Sequence, residues 1–390
     1  MPILGVDARA TAMAAAHKPA HFVLEDVVRP NIMSLKPYRC ARDDYQEGVL
    51  LDANENALGP SLAGAAPGGA LGALDLHRYP DPHLHGTRVA ATRLRALPDP
   101  AFTFLGVGSD EVIDLVQRCF ARPGKDKILV CPPTYGMYSV SAQVNDLAVV
   151  EVPLVVERGA FTLDVPRIRE ALAADPAIRI VFLCSPGNPT GTLLAMDDIQ
   201  AVLDTPEYRG IVVVDEAYID FAVEEQHLGR KHADRAVSAV TLVPSYANLI
   251  VSQTLSKSFG LAAVRLGLAF AQPPIIQVLN NTKAPYNIST PAAYLASRAL
   301  SDEGIAQMRA NVRTLLNNRA WLCDVLAGVP GVGAMLGAND ANFVLVQILD
   351  RPGGAPDSAR AAYVYKTMAE KNALVVRNRS SELGYGPLGV

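Results

Sequence analysis

A single lysine stands among small hydroxyl residues in the stretch SQTLSKSFGLAAVRLG, residues 252–267, and an arginine follows it eight positions later. The preceding apolar run ANLIVSQ predicts a buried strand, so Lys257 should emerge at a strand end where solvent is scarce. Burial and a neighbouring cation, Arg265, favour the neutral amine of a lysine, which can attack a carbonyl group and form a Schiff base. The hydroxyl groups of Thr254 and Ser256, with Arg265, could bind a phosphate. Taken without its neighbours, a lysine at this position is more often a strand-end residue whose side chain reaches solvent.

Other polar residues follow apolar runs in the same way. Asp215 ends the run IVVVD, where a carboxylate is costly unless it meets a cation or a strong donor such as a protonated pyridine nitrogen. Tyr135 lies in PPTYGMY, on a loop held by prolines and a glycine, and its ring could stack on another ring. Gly108, Ser109 and Asp110 open a predicted helix whose first N–H groups favour an anion. Each also has an ordinary interpretation, as a turn residue, a core aromatic or a helix cap.

Short β-branched runs alternate with helical patterns along the chain, which is typical of a parallel sheet covered by helices. The predicted strands are KILV, IRIVFLC, GIVVVD, LIVSQ and RLGLAFA, and DEVIDLVQRCF predicts a helix. Ligands of such sheets bind beyond the carboxyl ends of the strands, so the polar residues there, with Asn188 and Tyr218, should meet. From about Asn287 the pattern predicts one long amphipathic helix, then strands in ANFVLVQI and KNALVVRNR of a smaller α/β unit.

Composition excludes several classes of function. The 390 residues carry a net charge of −4 without a run of Lys and Arg, so nucleic-acid binding is not expected. No apolar run approaches the roughly 20 residues of a membrane helix. The five cysteines lack paired spacing, which predicts a reducing, cytoplasmic setting without disulfides, and residues 1–20 are expected to be a disordered extension. His77, His83 and His85 lack matching ligand spacing, so no metal site is predicted, and neither a dinucleotide, a P-loop nor a GxSxG motif is present.

Taken in order, the motifs resemble the fold-type I pyridoxal-phosphate aminotransferases, and within them the histidinol-phosphate aminotransferase family in its fungal form. The resemblance is carried by VVRPNIMSLKPYRC, LLDANENALGP, RYPDP, SPGNPTG, VDEAYIDF, SQTLSKSFGLAAVRLG and LVVRNRSSELG. It implies an N-terminal extension and arm at residues 1–50 that contributes to the small domain, a large cofactor-binding domain at 51–287 and a small domain at 288–390. It also implies a homodimer.

The resemblance assigns a role to each candidate residue. Lys257 would form the Schiff base, Asp215 would pair with the pyridine nitrogen, and Tyr135 would stack on the ring. Asn188 and Tyr218 would bind the ring oxygen. The residues expected around the cofactor phosphate are Ser109, Asp110, Thr254 or Ser256, Arg265, and Tyr79 from the neighbouring subunit. Those expected to contact the substrate are Tyr38, Asn54 and Arg377.

The family transfers the amino group of L-histidinol phosphate to 2-oxoglutarate in histidine biosynthesis, and its lysine moves a proton between substrate and cofactor carbons. Two alternatives stay open: another fold-type I enzyme, such as an aromatic-amino-acid aminotransferase or an amino-acid-phosphate decarboxylase, or a catalytically silent dimerising relative. After RNRSSELG the family continues into a strand whose arginine binds the anionic end of the substrates, whereas this sequence runs YGPLGV to Val390. We therefore expect an incomplete small domain, and we hypothesise that this chain binds pyridoxal phosphate but transaminates poorly.

Overall fold

The strands at the centre of the protein form one seven-stranded sheet. The computed structural model describes residues 18–35, 38, 44, 52–56, 58–62, 74–157 and 159–382. The strands of this sheet are β1 Thr103–Val107, β2 Lys127–Val130, β3 Ala148–Glu151, β6 Ile178–Cys184, β7 Ile211–Asp215, β8 Leu249–Thr254 and β9 Leu266–Ala271. Their order across the sheet is β1-β9-β8-β7-β6-β2-β3. Only β9 runs antiparallel to its neighbours, β1 and β8, so the predicted mixed, mostly parallel α/β sheet is confirmed.

Helices cover both faces of the sheet, which explains why its central strands are apolar throughout. Every residue of β7, β8 and β9 is buried, as expected for strands packed on two sides. One face is covered by α4 Gly108–Phe120, α5 Met137–Val144 and α9 Pro273–Thr282. The other is covered by α3 His85–Leu94, α6 Val165–Ala174, α7 Met196–Leu203 and α10 Thr290–Ala299. The short helices α1 Leu24–Val27 and α2 Pro30–Met33 precede the sheet, and α8 Ile219–His227 follows β7.

Strand register brings the predicted polar residues to one edge of the sheet. Cys184 at the end of β6 pairs with Asp215, and Asp215 pairs with Ser252 of β8. Because β9 is antiparallel, it begins where β8 ends, with Thr254 opposite Gly267. The segment after β1 joins the same edge, since the Gly108 N–H donates to the Arg265 carbonyl at 2.9 Å. The segments after β1, β6, β7 and β8 and before β9 therefore meet.

The chain after residue 287 forms a smaller unit that differs from the sequence-based expectation in two places. It contains α10, α11 Asp302–Ala327, the hairpin of β10 Val332–Leu336 and β11 Leu345–Ile348, and α12 Ser358–Asn372. The predicted single long helix is interrupted before α11, because the Ser301 side chain accepts a hydrogen bond from the Gly304 N–H and caps a new helix. The strand predicted in KNALVVRNR is wrong. α12 extends to Asn372, Ala373 is left-handed at φ 53°, and residues 374–379 pair with no strand in the described part of the chain.

Buried ion pairs join this unit to the large sheet. Arg319 of α11 contacts Glu225 of α8 at 2.5 Å and donates to the Ala341 carbonyl. The Asp340 carboxylate accepts from the Leu193 N–H at 3.0 Å. Another hairpin, β4 Val155–Glu157 with β5 Ala160–Thr162, lies beside β10, where the Gly337 N–H donates to the Gly159 carbonyl.

Two sequence-based expectations fall partly or wholly on residues that are not described. The predicted domain limits at residues 50 and 287 stay predictions, and much of the arm at 1–50 lies outside the described residues. The terminal segment YGPLGV, and with it the expectation of an incomplete small domain, also lies outside them. Among the described helices, none combines the length and apolar character needed to cross a membrane.

Gly267 sets how closely β9 approaches the start of α4. A Cβ atom there would lie 2.2 Å from the Gly108 carbonyl carbon and 2.4 Å from the Ser109 nitrogen. We expect Gly267→Ala to lower the free energy of unfolding by about 1–3 kcal/mol, because backbone atoms must move to admit the methyl group. Denaturant titration of the variant and of wild type measures this difference in the free energy of unfolding. Gly86→Ala is the control, because nothing lies within 4 Å of the added Cβ and Gly86 lies in α3, where alanine should keep stability or raise it by up to about 1 kcal/mol. Equal stability of Gly267→Ala and wild type would contradict the close approach.

Candidate active site

Asp215 is a buried carboxylate that is only half satisfied. Its Oδ2 atom accepts a hydrogen bond from the Tyr138 hydroxyl at 2.7 Å, whereas its Oδ1 atom has no hydrogen-bond partner in the described structure. Burial raises the pKa of Asp215 to about 6, while the Tyr138 hydrogen bond, the Ala217 backbone N–H and the charge of Lys257 act in the opposite direction. An unpaired buried carboxylate oxygen is costly, so this atom is suited to accept from an N–H group that enters the site.

Tyr138 is a site residue that sequence reasoning missed. Its ring stacks on Phe182 at 4.7 Å between centroids and 9° between planes, and it is fully buried. The sequence analysis chose Tyr135 from PPTYGMY. Tyr138 lies three residues further along the same motif, on the turn that opens α5. The signal was a second tyrosine at helical spacing, but only the folded chain shows which of the two faces Asp215.

Tyr135 and Arg265 both contact Asp110. The Tyr135 hydroxyl donates to Asp110 Oδ1 at 3.3 Å, and Arg265 Nη2 lies 3.1 Å from Asp110 Oδ2. Burial and the negative charge of Asp110 raise the pKa of Tyr135 to about 12. The Tyr135 ring meets the Tyr138 ring edge-on at 5.6 Å. A contiguous row of side chains therefore runs from Asp215 to Arg265.

The start of α4 has the geometry of an anion site. Gly108 is left-handed at φ 70°, and a Cβ atom there would lie 2.5 Å from Arg265 Nη2, so glycine makes room for the guanidinium group. The N–H groups of the first turn, including that of Ser109, have no partner within the helix. Across the edge, the Thr254 hydroxyl donates to Ser256 Oγ at 2.9 Å. The structure thus groups the residues predicted to surround a phosphate.

Lys257 lies on the turn after β8, and its Nζ atom is 5.5 Å from the centroid of the Tyr218 ring. In the single chain Lys257 is exposed, so the expectation that it lacks solvent is wrong. It stands beyond the end of the strand rather than within it. Tyr218 is 7% exposed. Burial raises the pKa of Tyr218 well above its ordinary value, and the charge of Arg379 acts in the opposite direction.

Asn188 brings a second missed residue into the site. Its Oδ1 atom accepts from Arg379 Nη2 at 3.2 Å, and Arg379 also forms an ion pair with Glu382. The sequence analysis selected Arg377, which is exposed, whereas Arg379 is partly buried near Asn188 and Tyr218. Both arginines stand in the motif VVRNRS, and the strand expected there would have directed their side chains to the same face.

Two of the remaining predicted residues, Tyr38 and Tyr79, form a separate tyrosine cluster together with Tyr286. The Tyr79 ring stacks on Tyr286 at 4.8 Å, and the Tyr38 ring meets Tyr286 edge-on at 6.4 Å. Tyr79 and Tyr38 are 52% and 65% exposed. Glu55, beside the exposed, left-handed Asn54, accepts from the Tyr79 N–H at 2.7 Å and ties the two loops together. Neither Tyr286 nor Glu55 was predicted.

Comparison with known proteins identifies the family. Residues 46–386 match the family Aminotransferase class I and II. The chain is 46% identical over 369 residues to a histidinol-phosphate aminotransferase of Schizosaccharomyces pombe, covering 93% of this chain and 91% of that protein. It is 42% identical over 376 residues to that of Saccharomyces cerevisiae, with 93% and 91% coverage. The chain belongs to the histidinol-phosphate aminotransferase family, within the class I and II aminotransferases.

A solved structure supports the fold. A histidinol-phosphate aminotransferase from Sinorhizobium meliloti, solved in complex with pyridoxal-5'-phosphate, matches with a TM-score of 0.67 at 22% identity, over 86% of this chain and 83% of that one. At this identity the likeness concerns the fold alone. It confirms the predicted fold class, and the family membership makes the chain an aminotransferase.

The pKa of Asp215 makes the stability of the cofactor-free protein depend on pH. Its folded value of about 6 lies above the ordinary 3.8, so between these values the folded chain binds more protons than the unfolded chain. The contribution of protonated Asp215 to the free energy of unfolding is therefore fully present below about pH 4, and it is lost as the pH rises through 6. The asparagine of Asp215→Asn cannot titrate. As the pH rises through this window, we therefore expect the unfolding free energy of wild type to fall by roughly 2–3 kcal/mol relative to that of the variant.

Denaturant titrations of both cofactor-free proteins at about pH 4.5 and about pH 7.5 measure how the difference between their unfolding free energies changes with pH. Burial also raises the pKa of Glu216 to about 7, but Glu216 is present in both proteins, so its contribution largely cancels in this difference. A difference that does not vary with pH would contradict the raised pKa of Asp215.

Proposed function

We propose that this chain transfers the amino group of L-histidinol phosphate to 2-oxoglutarate, giving imidazole acetol phosphate and glutamate, in histidine biosynthesis. The observation that carries the proposal is the unpaired Oδ1 atom of buried Asp215, at the sheet edge that also bears Lys257, in a chain of this family. The amino group and one hydrogen leave the donor carbon, and the carbonyl oxygen of the acceptor replaces them. The exchange is balanced between the two substrates, so it requires no external oxidant or reductant.

The residues present fit pyridoxal phosphate. The Oδ1 atom of Asp215 would accept from the protonated ring nitrogen, and Tyr135 would lie against the ring. The N–H groups at the start of α4, with Arg265 and Ser256, would hold the phosphate, and the close contact of Gly108 with Arg265 supports this. When bound, the cofactor supplies a carbonyl carbon that reacts with amines and a ring that accepts electrons from the donor carbon.

Asp215 and Lys257 divide the remaining chemistry between them. At neutral pH the Asp215 carboxyl, with a pKa of about 6, is mostly ionised, and pairing with a ring N–H would favour the ionised form further. A carboxylate there keeps the ring nitrogen protonated. The Lys257 Nζ atom can carry a proton away from one carbon and deliver it to another, which is general acid–base catalysis. Asn188 and Tyr218 would bind the ring oxygen, and Arg379 fixes the amide of Asn188.

The tyrosine cluster supports the proposal of a homodimer. Tyr79 and Tyr38 are large aromatic side chains on the surface of the single chain, and Tyr79 is held in place through its own N–H group. Exposed aromatic side chains are typical of interfaces. We propose that Tyr79 reaches the phosphate site of the partner chain, that Tyr38 and Asn54 contact the substrate, and that the enzyme is cytoplasmic.

The absorbance of the purified protein with pyridoxal phosphate tests the function. We expect a visible band that requires Lys257 and bleaches when L-histidinol phosphate is added, because the substrate amine replaces the lysine. Lys257→Ala should give no such band. A band that fails to bleach with L-histidinol phosphate but bleaches with an aromatic amino acid would favour the rival aminotransferase, and carbon dioxide release from an amino-acid phosphate would favour the decarboxylase. A band unaffected by every amine would support the silent relative.

Two arginines in one motif allow a paired test of substrate binding. We expect Arg379→Ala to raise the KM for L-histidinol phosphate by roughly ten-fold or more, because Asn188 loses a charge-assisted hydrogen bond and the site loses a cation. Arg377→Ala, two residues away and exposed, is the matched variant. Steady-state kinetics of the two variants compares their KM values and shows which arginine matters more for substrate binding. A larger effect in Arg377→Ala would restore the assignment made from the sequence.

A further inference from the structure

A buried polar network lies directly beneath the candidate site. Ser258 follows Lys257 in the chain and is 4% exposed. Its hydroxyl group donates to Asp220 Oδ2 at 2.5 Å. Asp220 lies in the first turn of α8, two residues after Tyr218, and is 7% exposed. One short hydrogen bond therefore connects the turn that bears Lys257 with the helix that follows Tyr218.

An arginine extends this network to the strand that precedes Lys257. Arg95 Nη2 lies 2.8 Å from Asp220 Oδ1, and the two side chains are 10% and 8% exposed. Arg95 Nε donates to Gln253 Oε1 at 2.6 Å. Gln253 is the penultimate residue of β8. Arg95 thus contacts both the strand before the turn and the carboxylate that holds the residue after Lys257.

The network then reaches the residue after Asp215. Gln253 Nε2 donates to Glu216 Oε2 at 2.8 Å. Glu216 also accepts from the Ser238 hydroxyl at 2.7 Å and from the Ala239 N–H at 2.6 Å. The three segments that carry Lys257, Tyr218 and Asp215 are therefore joined by side chains that are themselves shielded from water.

Apolar packing of Leu255 and Phe259 holds the two ends of the turn that bears Lys257. Lys257 is exposed, so packing of its own side chain does not fix the backbone. Within the turn the Gly260 N–H donates to the Lys257 carbonyl at 3.1 Å, and at its start the Leu255 N–H donates to the Leu266 carbonyl of β9 at 3.2 Å. The Ser258 hydroxyl is the polar side-chain contact that ties this turn to another element. A hydrogen bond to a buried carboxylate is directional and stronger than one between neutral groups.

We infer that Ser258, Asp220 and Arg95 are positioning residues that hold the Lys257 turn in register with Asp215 and Tyr218. None of the three needs to touch the substrate. The inference rests on the proposed function, because it assigns these residues to the placement of the amine that performs the chemistry. Proton transfer and attack on a carbonyl depend steeply on position, and a displacement of about 1 Å costs on the order of 100-fold in rate.

The sharpest variants are Ser258→Ala, which removes one hydroxyl and leaves the Arg95–Asp220 ion pair intact, and Asp220→Asn, which removes the charge. Glu225→Gln is the matched control. Glu225 lies on the same helix as Asp220 and also pairs with a buried arginine, Arg319, with the two side chains 6% and 7% exposed. Its partner, however, belongs to the smaller unit and has no bond to the Lys257 turn.

Three measurements on the protein loaded with pyridoxal phosphate test the inference. These are the pH titration of the visible band without substrate, the single-turnover rate with L-histidinol phosphate and the thermal midpoint. We expect Ser258→Ala and Asp220→Asn to shift the pH midpoint of the band and to slow the single turnover by roughly 10- to 100-fold. Glu225→Gln should lower the thermal midpoint and leave the other two readouts unchanged.

The inference is overturned if Ser258→Ala matches wild type in band titration and turnover, or if Glu225→Gln reproduces the spectral shift. A wild-type band that does not bleach with L-histidinol phosphate would refute the proposed function instead. The band titration uses no substrate, so it still tests the positioning network in that case.

Discussion

The cost of burying a carboxylate governs the architecture of this protein. Asp215 ends a strand whose every residue is buried, and only one of its oxygens is satisfied, by Tyr138. A polar group left in this state costs stability, and burial accordingly raises its pKa to about 6. Asp215 is the last residue of β7, at the carboxyl edge of the sheet where ligands of parallel α/β sheets bind. The unpaired Oδ1 atom is the group that the proposed pairing with a protonated ring nitrogen would satisfy.

The surrounding structure makes that edge rigid. Gly267 and Gly108 allow β9 and the start of α4 to approach without side chains between them, so helix N–H groups and Arg265 face the same space as Asp215. On the other side, the pairing of β7 with β6 and with β8 fixes the order in which Asn188, Asp215 and Lys257 emerge. Because β9 is antiparallel, it begins at this edge, and Arg265, which directly precedes it, lies there too. In an entirely parallel sheet β9 would begin at the opposite edge.

The same edge receives residues from distant parts of the chain. Arg379 reaches Asn188 from beyond α12, and Arg95 reaches beneath Lys257 from the end of α3. Ion pairs between α8 and α11 attach the smaller unit to the helix that begins directly after Tyr218. The helix α8 therefore contacts the smaller unit through Glu224 and Glu225, and separately contacts the turn that bears Lys257 through Asp220. Catalytic placement and domain attachment share one helix.

The sequence by itself determined the sheet strands, the fold class and which polar residues stand at the strand ends. Periodicity and apolar runs are local, and a buried strand has to be apolar wherever its neighbours lie, so β2, β6, β7, β8 and β9 could be predicted. Family resemblance then supplied the chemistry. Tertiary structure decided what depends on partners: that Tyr138 rather than Tyr135 contacts Asp215, that Arg379 reaches Asn188, and that Ser258 is bonded to Asp220. The strand expected in KNALVVRNR failed for the same reason, because a strand needs a neighbour to bond with and no local pattern states whether one is present.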